Sequence, residues 1–294
     1  MPLTILMWAA ILWLAFSLLL LPYAASFQST RSDPLPDWFK AFYISGYSMT
    51  TLGIGDLVPS GKAPRLVIVL ASAMGFILIT VAVTYLLSVY AALERMSALA
   101  FEIHHFIGRS EGMGPVEVLK RAAQTRTPDE LSNWLASTAS GLAQVVQSED
   151  EFPLLHYFHM PDERAMPLAL MDLLELTSLC QSVLDPEAYP VVAGGLVSAG
   201  TQRIVLRYFG TLTPRYAHVE VSEARLAHDR QWRFDAAWNA LDLAGIKLRP
   251  RPDALERYVR LRQQWDAHSV SLCLQFGYPA FEAWPVGVVV HSEA

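Results

Sequence analysis

The sequence predicts an all-α membrane protein, in which two transmembrane helices flank a short re-entrant segment and a mainly α-helical domain follows. Residues 3–21 carry no charge and form a run long enough to cross the hydrocarbon core, roughly 30 Å thick, as a helix. Residues 66–93 are also uncharged, and this run is longer. After residue 115, apolar side chains recur every three or four positions behind prolines or aspartates, which is typical of helices.

The first apolar run favours an outer transmembrane helix over residues 3–22. Its apolar core exceeds the usual length of a signal-peptide core, about 7 to 15 residues, and no Lys or Arg precedes it. A signal peptide is the alternative, because Ala24-Ala25-Ser26 loosely resembles a cleavage site. A re-entrant segment at membrane depth also needs surrounding protein to shield its backbone, which favours a helix here.

The re-entrant segment begins at Pro36-Asp37, where Asp37 can cap a short helix over residues 37–50. That helix leads directly into two glycines at alternate positions, Gly53 and Gly55, where glycine tolerates backbone angles that other residues avoid. A strand with such angles can aim successive carbonyl oxygens at a dehydrated cation. The sequence therefore predicts an ion-selectivity filter over residues 51–56.

The order and spacing of Thr51, Gly53, Gly55 and Asp56 resemble the signature of the potassium-channel pore family, Thr-X-Gly-(Tyr/Phe/Leu)-Gly-Asp. Ile54 stands where an aromatic residue is commonest. The resemblance extends over residues 1–95, with outer helix, re-entrant helix, filter and an inner helix over 65–93 in the family's order. It implies K+ as the permeant ion, passive conduction in a lipid bilayer, no cofactor and no metal beyond K+.

The resemblance also assigns roles to side chains of the pore domain. K+ would be held within the filter, and the filter residues are Thr51, Leu52, Gly53, Ile54, Gly55 and Asp56. Tyr43 and Tyr47 stand four apart on the re-entrant helix, so both can donate hydrogen bonds to Asp56, plain packing being the alternative. Gly75 is expected to be a gating hinge or, equally, a close-packing position. The candidate cavity wall on the inner helix comprises Phe76, Ile79, Thr80 and Val83.

Filter geometry also bears on assembly and selectivity. One chain supplies one filter strand, whereas a ring of carbonyls around an ion needs four, so we expect a homotetramer with closed symmetry. Ile54 cannot make the side-chain hydrogen bond that an aromatic hydroxyl offers, so a weakly selective cation channel stays open as an alternative. A non-conducting, membrane-anchored signalling or scaffold protein is the third function class. No helix carries regularly spaced arginines, so strong voltage gating is not expected.

Charge distribution places the larger part of the chain outside the membrane. Basic residues follow the inner helix, which favours both termini in the cytoplasm of a multi-pass protein of the inner cell membrane. The chain has a net charge of −6, and its acidic excess lies after residue 93, which argues against nucleic acid as a partner. Cys180 and Cys273 are expected to be reduced and buried.

After a connector over residues 96–114, a helical domain is expected over 115–294. Its predicted helices are 115–126, 128–147, 166–184, 221–244 and 253–276, whereas 186–209 fits either a glycine-loosened helix or a strand and turn. No Rossmann fingerprint or jelly-roll alternation occurs, so the cytoplasmic ligand or protein partner, if any, is unknown. We expect this domain to regulate opening through residues 94–114.

Histidines concentrate at His104-His105 and at His156 and His159, but two ligands make a poor metal site. Solvated or packed histidines are the preferred interpretation. No Ser/His/Asp or Cys/His constellation can be assembled from the spacing, so no enzyme is expected.

Overall fold

The computed structural model describes residues 2–29, 35–108, 113–125, 127–153, 155, 158–216 and 219–279. His156 and Arg109 lie outside the described residues. The chain divides into two compact units, Met1–Tyr90 and Ala91–Ala294. Helices dominate both units, which confirms the predicted fold class of two apolar helices followed by a helical C-terminal part.

The N-terminal unit contains two helices, the beginning of a third and one small sheet. Helix α1 spans Pro2–Leu20 and continues as a 3-10 helix over Leu21–Ser26, helix α2 spans Asp37–Met49, and helix α3 spans Lys62–Ile107. Strands β1 (Gln28–Ser29) and β2 (Leu57–Val58) pair antiparallel. Two helical stretches, Leu3–Ser26 and Lys62–Ile107, are long and apolar enough to cross a membrane, and few of their residues are buried.

Helices α1 and α2 pack through small and polar side chains. The hydroxyls of Ser17 and Ser45 lie 2.7 Å apart, and the Trp13 indole N–H donates to the Phe42 carbonyl at 2.9 Å. A Cβ on Gly46 would lie only 3.0 Å from the Trp13 ring. Such contacts suit helices in lipid, where close packing and interhelical hydrogen bonds replace the hydrophobic driving force.

Helix α3 is longer than the predicted inner helix over 65–93. It begins at Lys62 and continues to Ile107, because neither Gly nor Pro interrupts residues 94–107. Apolar residues also keep helical spacing there, and Ile103 is fully buried. The helix ends at Gly108, whose φ of +74° is the left-handed conformation that glycine tolerates. Most of the predicted connector is therefore helix.

Eight further α-helices and one short 3-10 helix, Asp162–Arg164, lie in the described part of the C-terminal unit beyond α3. The α-helices are α4 (Pro115–Gln124), α5 (Pro128–Glu151), α6 (Met166–Ser182), α7 (Pro190–Ala193), α8 (Leu196–Tyr216), α9 (Glu223–Leu243), α10 (Arg251–Arg262) and α11 (Asp266–Gln275). Helix α6 lies at the centre, since nearly all of its side chains are buried. Cys180 and Cys273 are both buried and form no disulfide with each other, and burial raises the pKa of Cys180.

Two sequence predictions in this unit are refined by the structure. The single helix predicted over 253–276 is wrong, because the chain breaks between α10 and α11. The Trp265 amide donates to the Arg262 carbonyl in a tighter turn, Trp265 is fully buried, and the Asp266 carboxylate accepts the Ala267 amide at the new helix start. Residues 186–209, left open between helix and strand, contain α7 and the beginning of α8.

Candidate functional site

Backbone hydrogen bonds connect the start of the filter segment, residues 51–56, to the end of α2. The amides of Thr50 and Thr51 donate to the carbonyls of Gly46 and Ser48 at 3.0 Å. The Leu52 amide donates to the Tyr47 carbonyl at 2.9 Å. These bonds use carbonyls of the last turn of α2 that have no partner within the helix. The start of the filter segment is thus fixed against α2.

Backbone φ angles change sign along the filter segment. Thr51, Gly53 and Gly55 have φ of 58°, 57° and 78°, whereas Leu52 and Ile54 do not have positive φ. In a uniformly extended strand, successive carbonyls point to opposite sides. Alternation of the φ sign allows them to point to the same side, and glycine reaches positive φ without strain. The geometry thus suits a row of oxygens on one face.

Thr51 was not anticipated at one of these positions. It is the one non-glycine residue with positive φ in the part of the chain that the structure describes. A β-branched residue there costs about 1–3 kcal/mol of backbone strain. Residue type is the only signal for positive φ that a sequence carries, so the sequence predicts unusual angles only for the two glycines.

The carbonyl oxygens of residues 51–55 accept no hydrogen bond from any described residue. All five residues are exposed in the single chain. Backbone carbonyls need a partner wherever they lose contact with water. A row of such acceptors on one side of a strand can replace the hydration shell of a cation.

Two tyrosines of α2 hold the outer end of the filter segment. The Tyr43 hydroxyl donates to Asp56 Oδ2 at 3.2 Å, and the Tyr47 hydroxyl donates to the Leu57 carbonyl at 2.7 Å. The two rings contact edge to face, with centroids 5.3 Å apart. Both tyrosines were expected to reach Asp56; Tyr47 instead binds the backbone one residue beyond it.

Comparison with known proteins agrees with this geometry. Residues 3–92 match the family described as "Ion channel". These residues form an ion channel family domain. The family is one of ion channels and not of enzymes. The match covers α1, α2, the filter segment and α3 as far as residue 92, and the protein is a membrane protein with two candidate spans.

A protein of Bacillus subtilis (strain 168), described as "Uncharacterized membrane protein YdjJ", is 28% identical to this chain over 187 residues. The aligned region is 64% of this chain and 53% of that protein, so the chain spans about half the length of the curated relative it matches. The aligned length exceeds that of the ion channel domain, so the similarity extends into the C-terminal unit. No solved structure matches the chain.

Within the ion channel domain, the side chains of Leu52 and Ile54 are not buried in the single chain. Their side chains are 66% and 49% exposed in the single chain. They line an open apolar cavity of about 660 Å³, together with Tyr43, Tyr47 and Ile79 among others. The filter segment is therefore supported by α2 along one side only within one chain.

Gly75 of the ion channel domain lies directly against the end of α2. A Cβ built on Gly75 would stand 1.9 Å from the Met49 carbonyl oxygen, far inside contact distance. This favours the close-packing interpretation, because a side chain at this position would overlap the Met49 carbonyl. The hinge role stays a prediction.

The candidate cavity-wall residues share one stripe of α3, at spacings of three and four. All are exposed in the single chain: Phe76, Ile79, Thr80 and Val83. The Thr80 hydroxyl donates to the Phe76 carbonyl at 2.9 Å, as hydroxyls in apolar helices commonly do. Their exposure leaves them available to face a pore or lipid, and the cavity-wall role stays a prediction.

Proposed function

We propose that this protein is a potassium-selective channel that conducts K+ passively through a homotetrameric pore. The observation that carries the proposal is the alternation of φ at Thr51, Gly53 and Gly55, combined with carbonyls of residues 51–55 that accept no hydrogen bond from the described chain. Membership of residues 3–92 in an ion channel family supports it.

In this proposal, K+ sheds its water and is held by the carbonyls of Thr51, Leu52, Gly53 and Ile54, with the Thr51 hydroxyl at the inner end. Several sites in line keep ions moving, because neighbouring ions repel one another. Asp56 adds negative charge at the outer mouth, where the Tyr43 hydroxyl orients it.

Four chains are needed to close a ring of carbonyls around one ion, since each contributes one strand. The apolar cavity beside the filter supports assembly, because exposed apolar surface of that kind is typical of interaction sites. Phe76, Ile79, Thr80 and Val83 would then line the water-filled space below the filter.

We place both termini in the cytoplasm of a cell membrane, with the C-terminal unit as a cytoplasmic regulator. Helix α3 runs without interruption from Lys62 to Ile107, so the candidate pore-lining helix is covalently continuous with the C-terminal unit. A ligand of that unit can shift the gate only if it binds the open and closed arrangements with different affinity.

Reversal potentials test this function. The purified protein is reconstituted in planar bilayers with mixtures of K+ and Na+ on both sides, K+ in excess on one side and Na+ in excess on the other. We expect the current to reverse close to the K+ equilibrium potential. Reversal at roughly 0 mV, the value for a pore that treats both ions alike, would favour a weakly selective cation channel, the alternative that Ile54 leaves open.

Oligomer state is measured on the same preparation, so that absent current can be interpreted. Correctly tetrameric protein that passes no ions would favour the scaffold function and overturn the channel proposal. Preparations without tetramer would refute the proposed assembly.

A further inference from the structure

A second cavity lies wholly within the C-terminal unit, far along the chain from the filter. It has a volume of about 260 Å³ and is bounded by the end of α6, the turn between α7 and α8, and the last part of α10. Its polar lining comes from Gln181, Arg257 and Arg260, and its backbone lining from Gly194 and Gly195. Neither the ion channel domain nor the proposed conduction uses this cavity.

The two arginines of the cavity differ from others on the same helix. Arg251 and Arg262 of α10 pair with Asp235 and Glu175 at 2.8 Å. Arg257 and Arg260 form no ion pair with any residue that the structure describes. They stand three apart, so their side chains share one face of α10, where like charges repel each other. An anion between them would relieve that repulsion.

A third guanidinium lies near the same place. Burial and the neighbouring Arg257 lower the pKa of Arg249, while Asp185 and Asp253 act in the opposite direction. Arg249 Nε is buried without a hydrogen-bond partner among the described residues. Arg249 thus adds positive charge close to Arg257, and the carboxylates of Asp185 and Asp253 also lie near it.

Two glycines, Gly194 and Gly195, form part of the opposite wall, so their backbone is not covered by side chains. A Cβ on Gly195 would stand 1.9 Å from the Val191 carbonyl oxygen, so no side chain fits at that position. The α8 helix begins at the next residue, Leu196, and the first amides of a helix have no acceptor within it. These amides and the positive end of the helix dipole add to the attraction of the arginines for an anion.

Gln181, a partly buried residue of the cavity lining, contacts the buried amide side chain of Gln202. Gln181 Nε2 donates to Gln202 Oε1 at 2.8 Å. Gln202 is 4% exposed, and its own Nε2 has no hydrogen-bond partner among the described residues. A buried donor without an acceptor costs about 1–3 kcal/mol, so such a group is expected where a ligand, an ion or water can accept its hydrogen bond.

We propose that this cavity binds a small phosphate-bearing anion through Arg257 and Arg260. A guanidinium offers a planar pair of donors that matches two phosphate oxygens, which a neutral or cationic ligand could not use. The cavity is slightly smaller than typical drug-sized sites of about 300–1,000 Å³, which favours inorganic phosphate, pyrophosphate or a small phosphorylated metabolite over a dinucleotide.

Calorimetric titration of the full-length protein in detergent tests the site, with pyrophosphate and inorganic phosphate as probes at constant ionic strength set by sodium chloride. We expect saturable binding at one site per chain. The double variant Arg257→Gln/Arg260→Gln should lose affinity by about tenfold or more, the loss expected for charge-assisted hydrogen bonds.

Two further variants make the result specific. Ala199→Phe fills the cavity but keeps both arginines, and we expect it to lose affinity as well. Arg251→Gln is the matched control, because it removes one charge from the same helix at a residue that already pairs with Asp235. Its affinity should equal that of the wild type. Circular dichroism and gel filtration of each variant establish that it is folded.

Three results would overturn the proposal: no saturable binding of either probe by the wild type, unchanged affinity in the folded double or cavity-filling variant, or equal loss in Arg251→Gln. If the double variant does not fold, Ala199→Phe decides alone. The titration needs no ion flux, so its failure would leave the proposed channel function untouched, and failed conduction would leave this site standing.

Discussion

At the scale of single residues, Gly53 and Gly55 give the sharpest prediction. Their φ values of +57° and +78° lie where a side chain is strained, and a Cβ on either would meet nothing nearer than 3.9 Å. The effect of Gly53→Ala or Gly55→Ala should therefore be conformational and not steric. We expect either variant to abolish K+ flux in reconstituted vesicles while tetramers still assemble at least in part.

Gly114→Ala is the matched control for these variants. Gly114 has an extended backbone, with φ of −166°, and open space around its Cβ position, so the added methyl should leave flux unchanged. Normal K+ flux in Gly53→Ala or Gly55→Ala would contradict the assignment of residues 51–56 as the filter.

The glycine spacing could be read from the sequence, because only glycine takes positive φ freely. The positive φ of Thr51 could not, since a β-branched residue gives no such signal and the bonds to the end of α2 impose the angle. Similarly, helical spacing predicts that Tyr43 and Tyr47 share a face, but not that Tyr47 reaches Leu57. Which acceptor a hydroxyl reaches depends on interatomic distances, and helical periodicity does not give these distances.

At the scale of helices, Gly75 is expected to act through packing of α3 against the end of α2. The methyl of Gly75→Ala would lie 1.9 Å from the Met49 carbonyl oxygen, so the two elements must move apart. We expect a lower thermal midpoint of the tetramer and reduced flux, measured by heating followed by gel filtration and by vesicle assay.

Gly200→Ala is the control for this prediction, because Gly200 lies within α8 with nothing near its Cβ position. It should stabilise its helix by about 0.5–1 kcal/mol. A Gly75→Ala tetramer with an unchanged midpoint and an altered open probability would instead favour the hinge role.

A buried ion cluster joins α6 to α10 in the C-terminal unit. Glu175 Oε2 accepts from Arg262 Nη1 at 2.8 Å, and its other oxygen accepts from the Tyr258 hydroxyl. Glu175→Gln would remove one of the carboxylates that pair with buried Arg262, although Asp229 Oδ2 stays 3.0 Å from Arg262 Nη2. Breaking a buried pair by losing one partner costs up to about 3–5 kcal/mol. We expect a clear drop in the thermal midpoint of the C-terminal unit, followed by tryptophan fluorescence.

Glu117→Gln serves as the control, because Glu117 forms partly exposed ion pairs with Lys120 and Arg121 on α4. Pairs of that kind contribute about 0.2–1 kcal/mol, so its midpoint should scarcely change. Equal midpoints for the two variants would show that the Glu175 cluster adds no stability.

Helix existence follows from the apolar periodicity, whereas helix ends depend on contacts between distant residues. Uninterrupted helical spacing in the sequence is consistent with the extension of α3 to Ile107. The predicted helix nevertheless ended at residue 93, because the uncharged run ends there while the buried residues continue. The break at residues 263–265 depends on burial of Trp265 beneath Ser178, whose hydroxyl accepts from the indole N–H at 3.2 Å. A contact across 87 residues leaves no local trace.

At the scale of the whole molecule, the C-terminal unit is the larger part of the chain. The similarity of the chain to the Bacillus subtilis relative extends into this unit. A helix shared by both units, α3, offers a direct covalent path between the C-terminal unit, proposed to bind a ligand, and the proposed pore. Regulation and assembly are two distinct roles for such a unit, and they make different predictions for a shortened chain.

A chain truncated after Ile107, the end of α3, is expected to form conducting tetramers whose open probability no longer responds to the cytoplasmic signal. The expectation follows because a ligand acts on the gate only through its differential affinity for two states, and the truncated chain has lost the site for that ligand. Open probability is measured in bilayers across pH, calcium, nucleotide and pyrophosphate, and is compared with that of the intact protein.

The fraction of tetramer in the same truncated preparation separates the two roles. If the C-terminal unit serves only assembly, truncation lowers the tetramer fraction, and the tetramers that form gate as the intact protein does. If it regulates opening, the remaining tetramers conduct but have lost the response that the intact protein shows. An intact channel whose open probability is the same under all of these conditions would defeat the regulatory role, because truncation would then have no response to remove.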